Sequence, residues 1–180
     1  MNFPSVSLFS STANADLTKF FKRMGCEAST NAYSITGSTP LVDSLLSVRY
    51  ALCSEYIPNT DLVNYIQESG GTYLYENLGV VLPYDLADNW QYQMENPAEV
   101  QNDLCLLLGT DDVLVPVETE VSGSGCTFTA DMAGEYYVYI QNKKVKNVKA
   151  SLPSGEKNFS NVDRGYLLEM GNLSEGSRIT

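Results

Sequence analysis

The sequence contains no histidine in its 180 residues. Histidine is the general base of Ser-His-Asp and Cys-His catalytic sites and the commonest neutral ligand of zinc. Its absence excludes both kinds of catalytic site and removes the usual zinc ligand. We therefore expect this chain to have no catalytic residue, no metal site and no bound cofactor of its own.

Basic residues are also scarce, with 11 Lys and Arg against 22 Asp and Glu and a formal net charge of -11. Nucleic acid binding requires cationic side chains that replace the counterions around phosphates, and the same repulsion opposes tight binding to an anionic lipid surface. The basic cluster of the sequence consists of Lys143, Lys144, Lys146 and Lys149. We predict no nucleic-acid partner and interpret the negative charge as a contribution to solubility.

Long apolar runs are missing as well. No stretch approaches the roughly 20 apolar residues that span a bilayer, and residues 1–5 lack the basic and apolar regions of a signal peptide. Residues 176–180 stop where a strand is predicted to begin. With 43% hydrophobic residues the chain can still form a core. We expect both ends to be cut points within a longer protein.

The four cysteines, Cys26, Cys53, Cys105 and Cys126, show no CxxC spacing and lie among apolar neighbours. We interpret them as buried free thiols. An even number of cysteines in an exported protein also permits disulfides, and their pairing does not follow from the sequence.

Helical and extended patterns alternate in the first half. A helical face recurs at Leu17, Phe20, Phe21 and Met24, between the caps Asn14 and Gly25. Thr39-Pro40 predicts the start of a second helix, followed by a strand over 48–52.

Residues 58–71 predict a third helix, which begins at Pro58-Asn59-Thr60, buries Leu62, Tyr65 and Ile66, and ends at Gly70-Gly71. Residues 72–75 and 80–82 predict two more strands.

A fourth helix has the clearest caps, with Asn96 as N-cap, Pro97 as first helical residue, and Glu99 as the reciprocal acid. Its apolar positions predict buried side chains at Val100, Leu104, Leu107 and Leu108, and Gly109 ends it. We interpret it as a bridge between two domains.

Beyond Gly109 the hydrophobic period changes from 3.6 to 2. Apolar residues alternate over 113–121, where Pro116 indicates an edge strand, and again over 126–130, 136–140 and 166–170. The predicted fold is α+β, with an N-terminal α/β domain (1–93), a bridging helix (94–110) and a jelly-roll-like antiparallel β-sandwich (111–180). We expect the sandwich to be truncated at its C-terminus.

Paired carboxylates are the enzymatic chemistry that this composition allows without a cofactor. Asp111 and Asp112 point to opposite sides of an extended chain. Glu118 and Glu120 share a polar strand face that we interpret as solvated. Asp85 and Asp88 are more simply explained as loop caps than as ligands of a cation or sugar.

Aromatic residues are concentrated between positions 73 and 92. They comprise Tyr73, Tyr75, Tyr84, Trp90 and Tyr92. Aromatic rings stack on the apolar faces of sugars, and short acceptors lie nearby in the irregular segment 83–92. We therefore predict substrate binding by Trp90, Tyr92, Tyr84, Asp85 and Asp88. The alternative is ordinary core and interdomain packing.

Seven segments, in the same order along the chain, resemble the extracytoplasmic region of the YfhO family of bacterial multi-pass membrane proteins. They are 9–12 (FSST), 20–25 (FFKRMG), 43–50 (DSLLSVRY), 75–77 (YEN), 82–83 (LP), 96–102 (NPAEVQN) and 171–176 (GNLSEG). The resemblance implies a parent with a membrane catalytic core, similar to glycosyltransferases that use lipid-linked sugars. It also implies an extracytoplasmic location at the membrane of a Gram-positive bacterium.

In that family pattern the catalytic acid belongs to a loop between membrane helices, and no such loop is present here. The expected function is that of an accessory domain, which positions a cell-envelope glycopolymer such as lipoteichoic acid beside the parent's transmembrane domain. The alternative is a structural or protein-interaction domain with no ligand of its own. An independent hydrolase has the least support.

Overall fold

The computed structural model describes residues 6–59, 63–78 and 96–180. Within them the α-helices are α1 (Ala15–Arg23), α2 (Pro40–Leu45) and α3 (Pro97–Leu108), and a short 3-10 helix spans Val162–Arg164. The strands are β1 (Leu8–Phe9), β2 (Ala28–Ser29), β3 (Ala32–Tyr33), β4 (Tyr50–Cys53), β5 (Val63–Ser69), β6 (Thr72–Asn77), β7 (Thr119–Ser122), β8 (Gly125–Thr129), β9 (Gly134–Val138), β10 (Asn147–Leu152), β11 (Gly155–Ser160), β12 (Leu168–Leu173) and β13 (Arg178–Ile179). The predicted α+β class with a β-sandwich is confirmed.

The three helices begin where local capping chemistry places them. The side chains of Asn14 and Asn96 accept hydrogen bonds from backbone N–H groups of the first turns of α1 and α3, and Thr39 does the same for α2. Helix α3 ends at Gly109, whose positive φ of 73° is the left-handed conformation that glycine adopts most readily. These predictions rest on contacts within a few residues and are confirmed.

Two predictions about helices are wrong. Residues 63–69 form strand β5 instead of a third helix, because their backbone pairs with β6 from Val63↔Asn77 to Ser69↔Thr72. In α3, Val100 and Leu104 are buried as expected, whereas Leu107 and Leu108 are exposed. The apolar positions of α3 therefore continue beyond the part of the helix that other residues cover.

The chain forms two compact units. Among the described residues, the small unit comprises Val6 and residues 38–59 and 63–78, and the large unit comprises Ser7–Gly37 together with residues 96–180. These boundaries differ from the expected domains 1–93, 94–110 and 111–180, because Ser7–Gly37 packs within the large unit. The Gln101 side chain donates to the carbonyl oxygen of Met24 at 2.8 Å, and Leu167 N–H donates to the carbonyl oxygen of Gly25 at 2.8 Å.

The large unit contains the sandwich. Strands β13, β8 and β7 form one antiparallel sheet, with β7 at one edge. The strand predicted over 113–121 is shorter in the structure, because β7 begins at Thr119 and Pro116 lies in the preceding loop. Ser151 and Thr180 exchange two backbone hydrogen bonds, which place the β10–β11 hairpin beside β13. The β9–β12 pair contributes Tyr136, Leu168 and Met170 to a core shared with β8, β10 and β13.

The small unit is a three-stranded antiparallel sheet in the order β4-β6-β5, preceded by α2. Glycines 70 and 71, with φ of 60° and 77°, form the two-residue turn between β5 and β6. Positive φ at both central residues is the requirement of a type I′ hairpin. No helix in the part of the chain that the structure describes is long and apolar enough to cross a membrane.

Candidate functional site

The predicted ligand residues Trp90, Tyr92, Tyr84, Asp85 and Asp88 lie outside the described residues. Their role stays a prediction. Two other members of the aromatic segment, Tyr73 and Tyr75, lie on β6 in the small unit. They belong to the part of the predicted aromatic region that the structure describes.

Tyr73 and Tyr75 lie on the same face of the sheet, because alternate residues of a strand point to the same side. Tyr65 of β5 is directly opposite Tyr75. A register irregularity between Tyr65 and Gln67 then brings Glu68 opposite Tyr73. The strand pairing thus collects three tyrosines and one carboxylate on one face.

A fourth tyrosine, Tyr56, follows β4 and completes what we call the tyrosine cluster (Tyr56, Tyr65, Tyr73 and Tyr75). The ring centroid of Tyr56 lies 5.7 Å from that of Tyr65 and 5.8 Å from that of Tyr73. Tyr65 lies 5.9 Å from Tyr75 and 6.5 Å from Tyr73. Interplanar angles of 54° to 68° make these tilted or edge-to-face contacts, which the ring quadrupoles favour.

Two hydrogen bonds hold the loop that carries Tyr56 against the sheet. The Ile57 N–H donates to the Tyr75 hydroxyl at 2.6 Å, and the Tyr65 N–H donates to the Asn59 side-chain oxygen at 2.8 Å. Tyr75 is buried, whereas 58% of Tyr56 is exposed. The cluster therefore has an anchored base and an accessible outer ring.

Polar groups border these rings. Glu68, opposite Tyr73, accepts a hydrogen bond from the Gly71 N–H at 2.8 Å, which holds its carboxylate near the turn. Phenol rings offer flat apolar faces, and hydroxyl and carboxylate oxygens offer hydrogen bonds. This combination suits binding of a neutral polyhydroxylated ligand better than acid–base chemistry, which requires two converging acids.

Two of the acid pairs considered from sequence belong to the large unit, and the third, Asp85 with Asp88, lies outside the described residues. Glu118 and Glu120 are exposed and line a groove of about 570 Å³ with Thr127, Asp131 and Arg178. Asp111 and Asp112 are exposed after α3. Among residues 6–59, 63–78 and 96–180, no three His, Cys, Asp or Glu side chains are placed to hold a metal ion.

The structure contains no disulfide bond among Cys26, Cys53, Cys105 and Cys126. Cys26 and Cys105 are buried, in agreement with the interpretation from sequence, whereas Cys53 and Cys126 are half-buried.

Sequence reasoning missed Tyr56 and Tyr65 as members of the cluster. The apolar pattern of residues 58–71 predicts a helix that contains Tyr65 and ends at Gly70-Gly71. The available signal was the glycine pair itself, since two glycines between two β-prone runs are typical of a hairpin. A hairpin at that point places Tyr65 beside Tyr73 and Tyr75.

The family model described as bacterial membrane protein YfhO matches residues 1–107. The match covers more than half of the chain. It includes the whole small unit, with the tyrosine cluster, and nearly all of α3, whereas strands β7 to β13 follow it. No curated protein and no solved structure matches the chain.

Proposed function

Because the chain belongs to the YfhO family of bacterial membrane proteins, we propose that it is an extracytoplasmic accessory domain of a membrane glycosyltransferase. In this proposal it positions a cell-envelope glycopolymer for the parent's transmembrane domain. The observation that carries the proposal is the tyrosine cluster, an anchored aromatic surface within the part of the chain that the family match covers.

Aromatic stacking explains how such a surface would select its ligand. The apolar face of a sugar ring covers the face of a tyrosine, and the ring hydroxyls reach nearby oxygens. The small unit carries Asp43, Glu55, Glu68 and Glu76 against the single cation Arg49. This charge repels phosphates, so the proposed ligand is a neutral sugar substituent or acceptor rather than the polyanionic backbone of a teichoic acid.

Binding of one sugar unit would be weak. Stacking and a few hydrogen bonds correspond to a millimolar Kd, or about 4 kcal/mol. Weak binding suits a tethered polymer, because repeated units and the membrane anchor raise the effective concentration. Transfer chemistry is assigned to the parent's membrane domain, so the isolated chain is expected to turn over no lipid-linked sugar.

NMR titration with neutral oligosaccharides and with glycerol phosphate oligomers tests this function. Tyr56→Ala is expected to weaken sugar binding at least about tenfold, because it removes the accessible ring. The matched control is Tyr50→Ala. Tyr50 is 54% exposed on the opposite face of the same sheet, and the Arg49 guanidinium lies 5.5 Å from its ring centre.

Equal loss of binding in both variants, or tighter binding of the phosphate oligomer than of the neutral sugar, would contradict the proposal. A second variant for the same titration is Trp90→Ala. The sequence predicts that the same ligand is bound by Trp90, Tyr92, Tyr84, Asp85 and Asp88. If Trp90→Ala instead unfolds the protein, Trp90 serves packing and is removed from the proposed site.

The second candidate function is a structural or protein-interaction domain with no ligand of its own. The face of the small unit opposite the tyrosine cluster favours it, since Tyr50 and Leu52 are both exposed there. Under this function neither sugars nor phosphate oligomers bind, and both tyrosine variants behave like the wild-type protein in the titration.

A further inference from the structure

Three consecutive leucines at the C-terminal end of α3 lie on the surface of the large unit. Leu106 is 73% exposed and Leu107 59% exposed, and Leu108 is exposed as well. Val113 and Val115, which follow in the next loop, are also exposed. We call these five residues the leucine patch. Exposed apolar side chains grouped in one region of a surface are typical of interaction sites.

The loop that contributes the two valines is held against the helix by specific bonds. The Asn102 side chain donates to the carbonyl oxygen of Leu114 at 2.7 Å and accepts from the N–H groups of Val113 and Leu114 at 3.2 and 3.0 Å. Thr110 bonds to the carbonyl oxygen of Cys105 through its N–H and its hydroxyl. The leucine patch is therefore a preformed surface and not a frayed helix end.

Negative charge surrounds the leucine patch. Glu99 and Asp103 precede Leu106 and Leu107 by one or two helical turns, and Asp111 and Asp112 follow the helix. The last turn of α3 has no basic residue to offset the negative end of the helix dipole. Residues 96–142 contain eight Asp and Glu and no Lys or Arg.

We propose that the leucine patch binds an amphipathic, positively charged segment of another polypeptide. Apolar side chains of that segment would cover the leucines, and its lysines or arginines would meet the acidic residues and the end of α3. An anionic lipid surface has the wrong charge for this site.

A second copy of the chain fits less well. Its lysine-rich region near residues 143–157 carries Val145 and Val148, which pack against the sandwich core and are not available to cover leucines.

Isothermal titration calorimetry with a synthetic amphipathic helix of Leu and Lys, and with a scrambled peptide, tests the proposal on the full chain. The amphipathic peptide is expected to bind more tightly, and its affinity is expected to fall with salt. Leu106→Ser with Leu107→Ser should weaken binding at least about tenfold. Val121→Ser is the matched control, since Val121 is 77% exposed on β7 and belongs to no proposed binding surface.

Asp111→Asn with Asp112→Asn keeps the test independent of any folding defect in the leucine variant. It should weaken binding and flatten the salt dependence. Equal binding of both peptides, or unchanged affinity in either double variant, overturns the proposal. Leucine-dependent self-association in sedimentation, or leucine-dependent binding to anionic vesicles without peptide binding, overturns it in favour of a second copy or a lipid surface.

Discussion

The two units bury their apolar side chains in different ways. In the large unit, eleven buried residues of the sandwich form one core from which water is excluded, and Leu168 at its centre has no exposed surface. In the small unit the aromatic rings form a graded cluster, from buried Tyr75 to the largely exposed Tyr56. Complete burial maximises hydrophobic stabilisation, whereas partial burial leaves ring surface for a ligand.

This difference predicts that stability depends mainly on the large unit, whereas the proposed ligand binding depends on the small unit. Substitutions in the sandwich core should affect unfolding strongly, and substitutions at the outer tyrosines should affect binding with little change in stability. Four experiments test this contrast between the two units.

Leu168→Ala should produce the largest effect. Removal of a fully buried leucine side chain leaves a cavity and is expected to lower the free energy of unfolding by about 3 kcal/mol. Urea unfolding measures the change. Leu106→Ala, at an exposed position, is the control and should change it by less than about 0.5 kcal/mol. Similar values for the two variants would show that the sandwich core is not the main source of stability.

Gln101→Ala tests whether Ser7–Gly37 is an integral part of the large unit. The fully buried Gln101 amide donates to the carbonyl oxygen of Met24, and its loss leaves that oxygen without this donor. We expect a cost of about 2 kcal/mol in urea unfolding. Exposed Gln67 in the small unit provides the control variant, Gln67→Ala. A cost as small as that of the control would argue that the N-terminal segment folds separately.

Tyr75→Phe should have a moderate effect within the small unit. It removes the hydroxyl that accepts the Ile57 N–H and so loosens the loop that carries Tyr56. We expect a local cost of about 1 kcal/mol, measured as faster hydrogen exchange of the Ile57 amide. Tyr50→Phe is the control, and an unchanged exchange rate in Tyr75→Phe would mean that this bond does not anchor the loop.

The smallest expected effect is a loss of stability at high pH. Burial raises the pKa of Tyr136, and also that of Tyr166, above the usual 10.0, with nearby Asp131 adding to the effect at Tyr136. The folded protein therefore retains these protons where the unfolded chain loses them. Their contribution is present below about pH 10 and declines as the pH rises through the folded-state pKa. Urea midpoints from about pH 8 to about pH 11 should decrease, and less steeply in Tyr136→Phe.

The helix ends were determined by the sequence alone, because their chemistry is local. Asn14, Thr39 and Asn96 bond to N–H groups two or three residues away, and Gly109 adopts a backbone conformation that other residues avoid. The alternating pattern beyond Gly109 likewise indicated a sandwich, since β8, β9, β10, β12 and β13 present apolar side chains to one core. Such features need no knowledge of distant residues.

Which apolar residues are covered and which tyrosines meet depends on contacts between residues that are far apart in the sequence. Val63–Ser69 is a strand because β6 supplies its hydrogen-bond partners, and the same pairing brings Tyr65 to Tyr75. Leu107 and Leu108 follow the same helical spacing as Leu104, yet they extend beyond the residues that bury Leu104. The hydrophobic pattern of a sequence indicates which side chains favour burial. Whether they are buried depends on partners from distant parts of the chain.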